Sequence, residues 1–288
     1  MDILKKQHEL SKQKPGKQDQ TKLAEFKICV IGATGAIGRE VVRHALKEPK
    51  VTQITVIVRK ELEEWKDAPA KDKVKIIVRD DFDKLEEMSG REEIQGCQAF
   101  ICCLGARVQS GEENFTKVDR SYCVNFAKLA KKVEAPYFGL LTSGYMGHFL
   151  PPLYMRTKTA CEKAVKELNL KSLHIYQPGL LLNRDNDLRY FEKFASYVPF
   201  IPKIDSSHLG LAILKNAMAL PAERLALYSN HDLCQMHAEH QGPDLMQKSM
   251  KNVGILMFVQ IFSKIMTFAL NFLVARIVSK EVYGYANI

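Results

Sequence analysis

The sequence predicts an α/β protein built on a doubly wound, mostly parallel sheet. From residue 26 onward, short apolar runs rich in β-branched residues alternate with stretches whose apolar residues repeat at helix spacing. Most of these runs carry few polar side chains, which is typical of strands covered on both faces of a parallel sheet. The first run leads directly into a turn with three glycines and then into a helix pattern.

Six apolar runs predict strands, and four other segments predict helices. The strands are predicted at 26–35, 54–60, 74–80, 99–105, 137–144 and 171–182, and the helices at 36–48, 115–133, 153–168 and 207–220. Strands and helices that alternate at this spacing are typical of βαβ units. We expect one such domain over residues 26–240, preceded by a polar lead at 1–25 and followed by a hydrophobic extension at 241–288.

Composition and charge exclude several kinds of protein. The chain has 288 residues, 46% of them hydrophobic, and a net charge of +9 that is not concentrated in any run of lysine and arginine. This charge pattern does not indicate a nucleic-acid partner. The seven cysteines are scattered and the N-terminus has no apolar signal segment, so we expect free thiols in a cytoplasmic protein.

The turn after the first strand has the glycine spacing of a nucleotide-binding loop. Gly32, Gly35 and Gly38 recur at every third position between a predicted strand and a predicted helix. Glycines allow the tight turn and let the backbone approach a pyrophosphate, which the N–H groups at the helix N-terminus then bind. The alternative is a tight turn without a ligand. We favour a Rossmann-type site for a nicotinamide dinucleotide.

The residues after the second and third strands favour NADP(H) over NAD(H). Arg59 and Lys60 follow the second strand directly, and Glu61 comes only after them. A basic side chain at this place suits the 2′-phosphate of NADP, whereas a carboxylate suits the 2′-hydroxyl of NAD. Asp81 and Phe82, after the third strand, are predicted to flank the adenine. Both sets also fit ordinary surface loops.

Tyr154 and Lys158 form a candidate catalytic pair. They lie one helical turn apart, so both side chains are on the same face of the predicted helix. The lysine charge favours the phenolate, and this helps a tyrosine to exchange a proton with a substrate near neutral pH. Tyr-x-x-x-Lys also occurs by chance, and the glycine loop upstream is what favours the catalytic interpretation.

Several linked motifs resemble the short-chain dehydrogenase/reductase superfamily, and more closely its atypical group that contains the Tat-interacting oxidoreductase and its fungal and plant relatives. The resemblance covers about residues 20–240. The motifs that carry it, in chain order, are VIGATGAIGR, VIVRK, DDFDKL, FICCLG, FTKVDRSY, LLTSGYMG, LYMRTK and YQPGLLL.

This resemblance implies a role for each matching residue. It implies Tyr154 as the general acid/base, with Lys158 as its activator and ribose anchor. The residues implied to border the cofactor are Gly32, Thr34, Gly35, Ile37, Gly38, Arg59, Asp81, Phe82, Cys103, Leu104, Gly105, Pro178, Gly179, Leu180 and Leu181. The hydroxyl that orients the substrate carbonyl is Ser143 or Thr142, with Ser143 favoured. Asp119 stands where the superfamily often has asparagine, as in atypical members.

We therefore expect an NADP(H)-dependent oxidoreductase that acts on a carbonyl or alcohol of unknown class. The alternative is a catalytically weak NADPH-binding regulator that acts through protein partners. No metal is expected, although His231, Cys234, His237 and His240 follow one another at steps of three.

The extension differs in composition from the rest of the chain. Residues 252–278 are strongly apolar, and the stretch that begins at Leu256 resembles the first membrane helix of the Rft family, which is associated with lipid-linked oligosaccharide flipping. Gln260, Lys264, Thr267 and Asn271 place one polar stripe along it. The alternatives are a genuine tail that associates with the endoplasmic reticulum or the mitochondrial outer surface, and a joined reading frame.

Overall fold

The computed structural model describes residues 25–60, 65, 71–106, 108–144, 151–182, 203–241, 260 and 263–268. In this part of the chain the strands are β1 (Phe26–Ile31), β2 (Val51–Val58), β3 (Val74–Val78), β4 (Ala99–Cys102), β5 (Tyr137–Leu141), β6 (Leu173–Gln177), β7 (Leu180–Leu182), β8 (Lys203–Asp205) and β9 (Leu225–Ser229). The helices are α1 (Ala36–Lys47), α2 (Glu112–Thr116), α3 (Cys123–Lys132), α4 (Pro152–Glu167), α5 (Ser206–Ala219) and α6 (Asn230–Gln241).

Seven strands form one parallel sheet in the order β3-β2-β1-β4-β5-β6-β9. The chain builds outward from β1 to β3, returns to the middle at β4, and then builds outward in the other direction. This order confirms the predicted doubly wound parallel sheet. Strands β7 and β8 pair separately in a small parallel sheet.

Side chains from alternate positions of the strands pack against different helices, as the pleat of a strand requires. One set, which includes Ile31, Phe100 and Leu140, packs with residues of α3 and α4 and with the 3-10 turn Leu85–Gly90. The opposite face is covered by α1 and α5, which pack so closely that a Cβ at Gly210 would lie 2.6 Å from the Glu40 Cβ. The sheet is therefore covered on both faces, and a ligand is expected at the carboxyl ends of its strands.

The structure differs from the predicted elements in several regions. The run 171–182 is two strands, because Pro178 and Gly179 separate β6 from β7. The helix predicted at 115–133 begins at Glu112 and contains a π-helical turn at Lys117–Tyr122. Strand β9 was not predicted, because it is the edge strand and Leu225 and Leu227 are about half exposed.

The predicted C-terminal helix lies largely outside the described residues. Residues 263–268 are helical, and the Thr267 hydroxyl donates to the Ser263 carbonyl at 2.9 Å. Among the residues that the structure describes, no helix has the length and apolar character needed to cross a membrane.

Candidate active site

The glycine loop packs against the end of β4 in a way that only glycine allows. Gly32 has a φ of +76°, and a Cβ on it would lie 2.5 Å from the Cys103 carbonyl carbon. On α1, a Cβ at Gly38 would overlap the Gly32 carbonyl oxygen, and one at Gly35 would lie 3.3 Å from the same oxygen. The turn therefore folds tightly over itself and lies directly on the neighbouring strand end.

This packing leaves the N-terminus of α1 suited to bind an anion. Gly35 is the N-cap residue and provides no side-chain cap, and the first turn of the helix has no acidic residue. Thr34 and Gly35 are exposed, while Ile37 is buried and anchors the helix on the sheet. The backbone N–H groups of this turn are the donors that a pyrophosphate needs, so the loop fits the expected dinucleotide.

The loop lies at the point where the sheet reverses its order. β1 pairs with β2 on one side and with β4 on the other, so the connections that follow β1 and β4 run away from each other. The Cys103 N–H donates to the Ile31 carbonyl at 2.9 Å and holds Cys103, Leu104 and Gly105 at the edge of this crevice. Burial raises the pKa of the Cys103 thiol to about 12, so this residue borders the crevice as a neutral group.

The residues predicted to bind the adenosine half follow β2 and β3. Arg59 and Lys60 are exposed directly after β2, whereas Glu61 lies outside the described residues. Asp81 is exposed, and its carboxylate accepts the Asp83 N–H at 3.0 Å.

The ring of Phe82 does not project into this crevice. It is 3% exposed and packs edge-on against Tyr122, with ring centroids 5.3 Å apart. Phe82 therefore belongs to the core of the domain, and what it can offer a ligand at this place is backbone.

Tyr154 and Lys158 share one face of α4, as the sequence predicts. Helix α4 begins with Pro152 at its first position, where a missing N–H costs no helical hydrogen bond. The Tyr154 ring stacks on Phe115 with centroids 5.7 Å apart and stays partly accessible. The Lys158 ammonium lies 5.9 Å from the centre of the Tyr154 ring.

Lys158 is buried and paired with a carboxylate. Its Nζ lies 2.7 Å from Asp119 Oδ1, and the other carboxylate oxygen of Asp119 accepts the Ala106 N–H at 2.7 Å. Burial alone would lower the pKa of the Lys158 ammonium, but the charge of Asp119 outweighs it and raises that pKa above the ordinary value of 10.5. Lys158 is therefore positively charged throughout the physiological range.

The two candidate hydroxyls after β5 differ in their partners. Thr142 is buried, and its hydroxyl donates to Glu162 Oε1 at 2.7 Å. Glu162 also accepts the side-chain amide of Gln177 at 2.9 Å. Ser143 is partly exposed, and its hydroxyl donates a long hydrogen bond of 3.4 Å to the Gly144 carbonyl. Thr142 thus joins the ends of β5 and β6, and Ser143 is the more available hydroxyl.

The loop after β6 is held from two sides. The Gly144 N–H donates to the Pro178 carbonyl at 2.7 Å, and the Gly179 N–H donates to Asn230 Oδ1 at 2.8 Å. Leu180 is buried and Leu181 is half-buried in β7. These contacts fix the segment that the resemblance assigns to the nicotinamide.

The predicted site residues lie at the carboxyl end of the sheet, because they follow the ends of parallel strands. Four residues that support them were not predicted as partners: Phe115, Asp119, Glu162 and Asn230. Among the described side chains, no group of three or more metal-ligand residues is suited to hold a metal ion, and the side chains of His237 and His240 lie outside that set.

A dinucleotide loop at a topological switch point, beside a Tyr-x-x-x-Lys helix, defines the class of NAD(P)-binding proteins with an oxidoreductase-like fold. Comparison with protein families agrees. Residues 32–196 match the family model described as NAD(P)H-binding, and the chain belongs to this family. Residues 248–288 match a second model, described as Rft protein.

Alignments with two curated relatives span most of each relative's length. The chain is 27% identical to Protein HTATIP2 of Rattus norvegicus over 242 residues. The aligned region covers 79% of this chain and 96% of that protein. It is 28% identical over 198 residues to Protein FMP52, mitochondrial, of Lodderomyces elongisporus, which covers 64% of this chain and 83% of that protein.

Solved structures share the fold at low sequence identity. DesIV, a dTDP-glucose 4,6-dehydratase from Streptomyces venezuelae solved as a double mutant with NAD and DAU bound, matches with a TM-score of 0.56 and 12% identity, over 76% of this chain and 82% of that one. The Bordetella bronchiseptica enzyme WbmH in complex with NAD+ matches with a TM-score of 0.55 and 15% identity, over 70% of this chain and 75% of that one.

Replacing Gly32 by alanine tests the packing of the loop. The positive φ should lower the free energy of unfolding by about 1–2 kcal/mol, and the overlap with Cys103 should add about 1–3 kcal/mol. Gly96→Ala is the matched control, because Gly96 has a φ of +73° with open space around its Cβ position. Urea denaturation should show a clearly larger loss for Gly32→Ala; equal losses would show that the strand contact is unimportant.

Proposed function

We propose that the chain binds NADP(H) and transfers a hydride to or from a carbonyl or alcohol substrate. The observation that carries this proposal is the buried, charged Lys158 on the same helix face as the accessible Tyr154, beside a glycine loop suited to a pyrophosphate. Most of the segment expected to shape the substrate pocket, residues 183–202, lies outside the described residues.

Each residue of the proposed site has a separate task. The Tyr154 hydroxyl donates its proton to the substrate oxygen in reduction and takes it back in oxidation. The Ser143 hydroxyl donates a hydrogen bond to the same oxygen, a role supported by the engagement of Thr142 with Glu162. The Lys158 ammonium favours the phenolate and offers a donor to a ribose hydroxyl.

Bound NADPH would supply the hydride. The loop of Gly32, Gly35 and Gly38 would hold its pyrophosphate, and Arg59 with Lys60 would hold its 2′-phosphate. Asp81 and the backbone of Cys103, Leu104 and Gly105 would border its adenosine, and Pro178, Gly179 and Leu181 would line the nicotinamide side.

The ion pair of Lys158 with Asp119 favours a second candidate function. A lysine whose charge is already paired still offers N–H donors to a ribose, but it supports the phenolate less. The chain would then be a catalytically weak NADPH-binding regulator that acts through protein partners.

The substitution Tyr154→Phe separates these two functions. In the enzyme, it should lower the rate of carbonyl reduction by about 10²–10⁴-fold and leave the NADPH dissociation constant, measured by nucleotide fluorescence, unchanged. Tyr228→Phe, on the outer strand β9, is the matched control and should alter neither. NADPH binding without turnover of any member of a carbonyl panel by the wild type would support the regulator instead. A wild-type chain that binds neither NADPH nor NADH would rule out both functions.

Arg59→Ala tests the choice of cofactor. Loss of one charged contact to the 2′-phosphate should weaken NADPH binding by about tenfold or more and leave NADH binding unchanged. Arg91→Ala removes an arginine near the amino end of β4, the opposite edge of the sheet, and should have no effect. Equal losses for NADPH and NADH in Arg59→Ala would contradict the NADP preference.

We also propose that residues 252–278 associate with a membrane surface. The polar stripe at Gln260, Lys264 and Thr267 and the match of 248–288 to the Rft model support this association. The Rossmann domain itself is proposed to face the cytoplasm. The fungal relative carries "mitochondrial" in its name, which supports the mitochondrial outer surface as one membrane to test.

Membrane fractionation tests the extension. The full chain should sediment with membranes, and removal of residues 243–288 should release it to the soluble fraction. Removal of residues 1–24 provides the control and should leave the distribution unchanged. An identical distribution with and without 243–288 would rule out the association.

A further inference from the structure

Asp119 and Lys158 form an ion pair that is almost sealed from solvent. Their side chains are 1% and 9% exposed, and the Nζ–Oδ1 distance is 2.7 Å. The second oxygen of Asp119 accepts the Ala106 N–H, which fixes the carboxylate to the loop after β4. The carboxylate cannot turn away from Lys158 without giving up that hydrogen bond.

The backbone around Asp119 is irregular in a way that suits this contact. Asp119 lies in the π-helical turn Lys117–Tyr122, between α2 and α3. A π-turn inserts extra backbone into a helix, and such turns are frequent at functional sites. Phe115, one turn earlier, stacks on Tyr154, so the same segment contacts both members of the catalytic pair.

Among the residues that the structure describes, two thiols near this pair are neutral and a separate ion pair is exposed. Cys123 on α3 and Cys161 on α4 interact electrostatically with Lys158, but a hydrogen bond with a neighbouring thiol, together with burial, raises the pKa of each thiol above its ordinary value. Arg156 and Glu112 pair with each other at the surface, at 3.4 Å and more than two-thirds exposed, where water screens them. The carboxylate of Asp119 is therefore the dominant negative charge in contact with Lys158 among the described residues.

We propose that Asp119 is a positioning residue that withholds part of the Lys158 charge from Tyr154 while keeping the lysine in place for a cofactor. This inference rests on the proposed function and adds a control on it. The Lys158 ammonium lies 5.9 Å from the centre of the Tyr154 ring, and the Asp119 carboxylate lies 2.7 Å from that ammonium, so the two opposite charges act on the phenolate together. The negative charge of Asp119 therefore cancels part of the effect that Lys158 alone would have on the phenolate.

The pair thus separates two tasks of the same lysine. An ammonium has three N–H donors, so Lys158 can keep its contact with Asp119 and still donate to a ribose hydroxyl. Cofactor binding is retained, while the phenolate form of Tyr154 receives less support from the lysine charge. An asparagine at 119 would fill the same space without the charge.

Titration of the Tyr154 phenolate tests this inference without a substrate. The ultraviolet absorbance of tyrosinate is followed against pH, and the matching Tyr154→Phe protein is subtracted in each background. Asp119→Asn should lower the midpoint of Tyr154 by about one pH unit relative to the wild type. Asp83→Asn is the control, because it removes the exposed partner of Lys117 in the same segment and should leave the midpoint unchanged. An unchanged or higher midpoint in Asp119→Asn overturns the proposal.

A second variant keeps the test decisive if Asp119→Asn does not fold. The double variant Lys158→Gln/Asp119→Asn removes both charges and leaves no buried ion unpaired. Because the ion pair carries no net charge, removal of both charges should raise the Tyr154 midpoint by less than about one unit above that of the wild type. A rise of about two units would mean that the lysine acts with its full charge, which contradicts the proposal.

Measurements of NADPH binding and of the tyrosinate midpoints can fail independently. A wild-type chain that binds no NADPH and reduces no carbonyl, yet shows the expected midpoints, removes the proposed function and leaves the charge effect of Asp119 as measured. The reverse pattern, with turnover but no shift in Asp119→Asn, removes only the role of Asp119.

Discussion

The close approach of the β1–α1 turn to the end of β4 sets the geometry of the crevice at the switch point. With a side chain at Gly32, the backbone of Cys103 and Leu104 would have to move away. With a side chain at Gly38, α1 could not begin where it does. The helix N-terminus, the crevice at the switch point and the loop after β4 all follow from this contact between backbones.

The loop after β4 transmits that constraint to the proposed catalytic residues. It carries Ala106, whose N–H holds Asp119, and Asp119 in turn holds Lys158 on α4. The nucleotide loop and the Tyr-x-x-x-Lys helix are thereby joined through hydrogen bonds and one buried ion pair. On the far side, Glu162 ties α4 to the ends of β5 and β6. The predicted site is thus supported by contacts on both of its sides.

Much of this could be predicted from the sequence, because the informative patterns are local. The glycine spacing and the Tyr154/Lys158 spacing each lie within a few residues, and the parallel sheet brings them to one edge. The partners Asp119, Glu162 and Asn230 could not be assigned in this way, since each meets its partner through the tertiary fold. At Phe82 the sequence motif misled, because it predicted a ring at the adenine while the ring packs in the core against Tyr122.

A crystal structure with NADPH would show whether the Gly32 turn, Asp119 and Lys158 together hold one dinucleotide. We predict a pyrophosphate on the backbone N–H groups at the start of α1 and a ribose hydroxyl within hydrogen-bond distance of Lys158 Nζ, with Asp119 still in contact with that atom. A dinucleotide bound away from the Gly32 turn, or a Lys158 that leaves Asp119 to reach the ribose, would contradict this prediction.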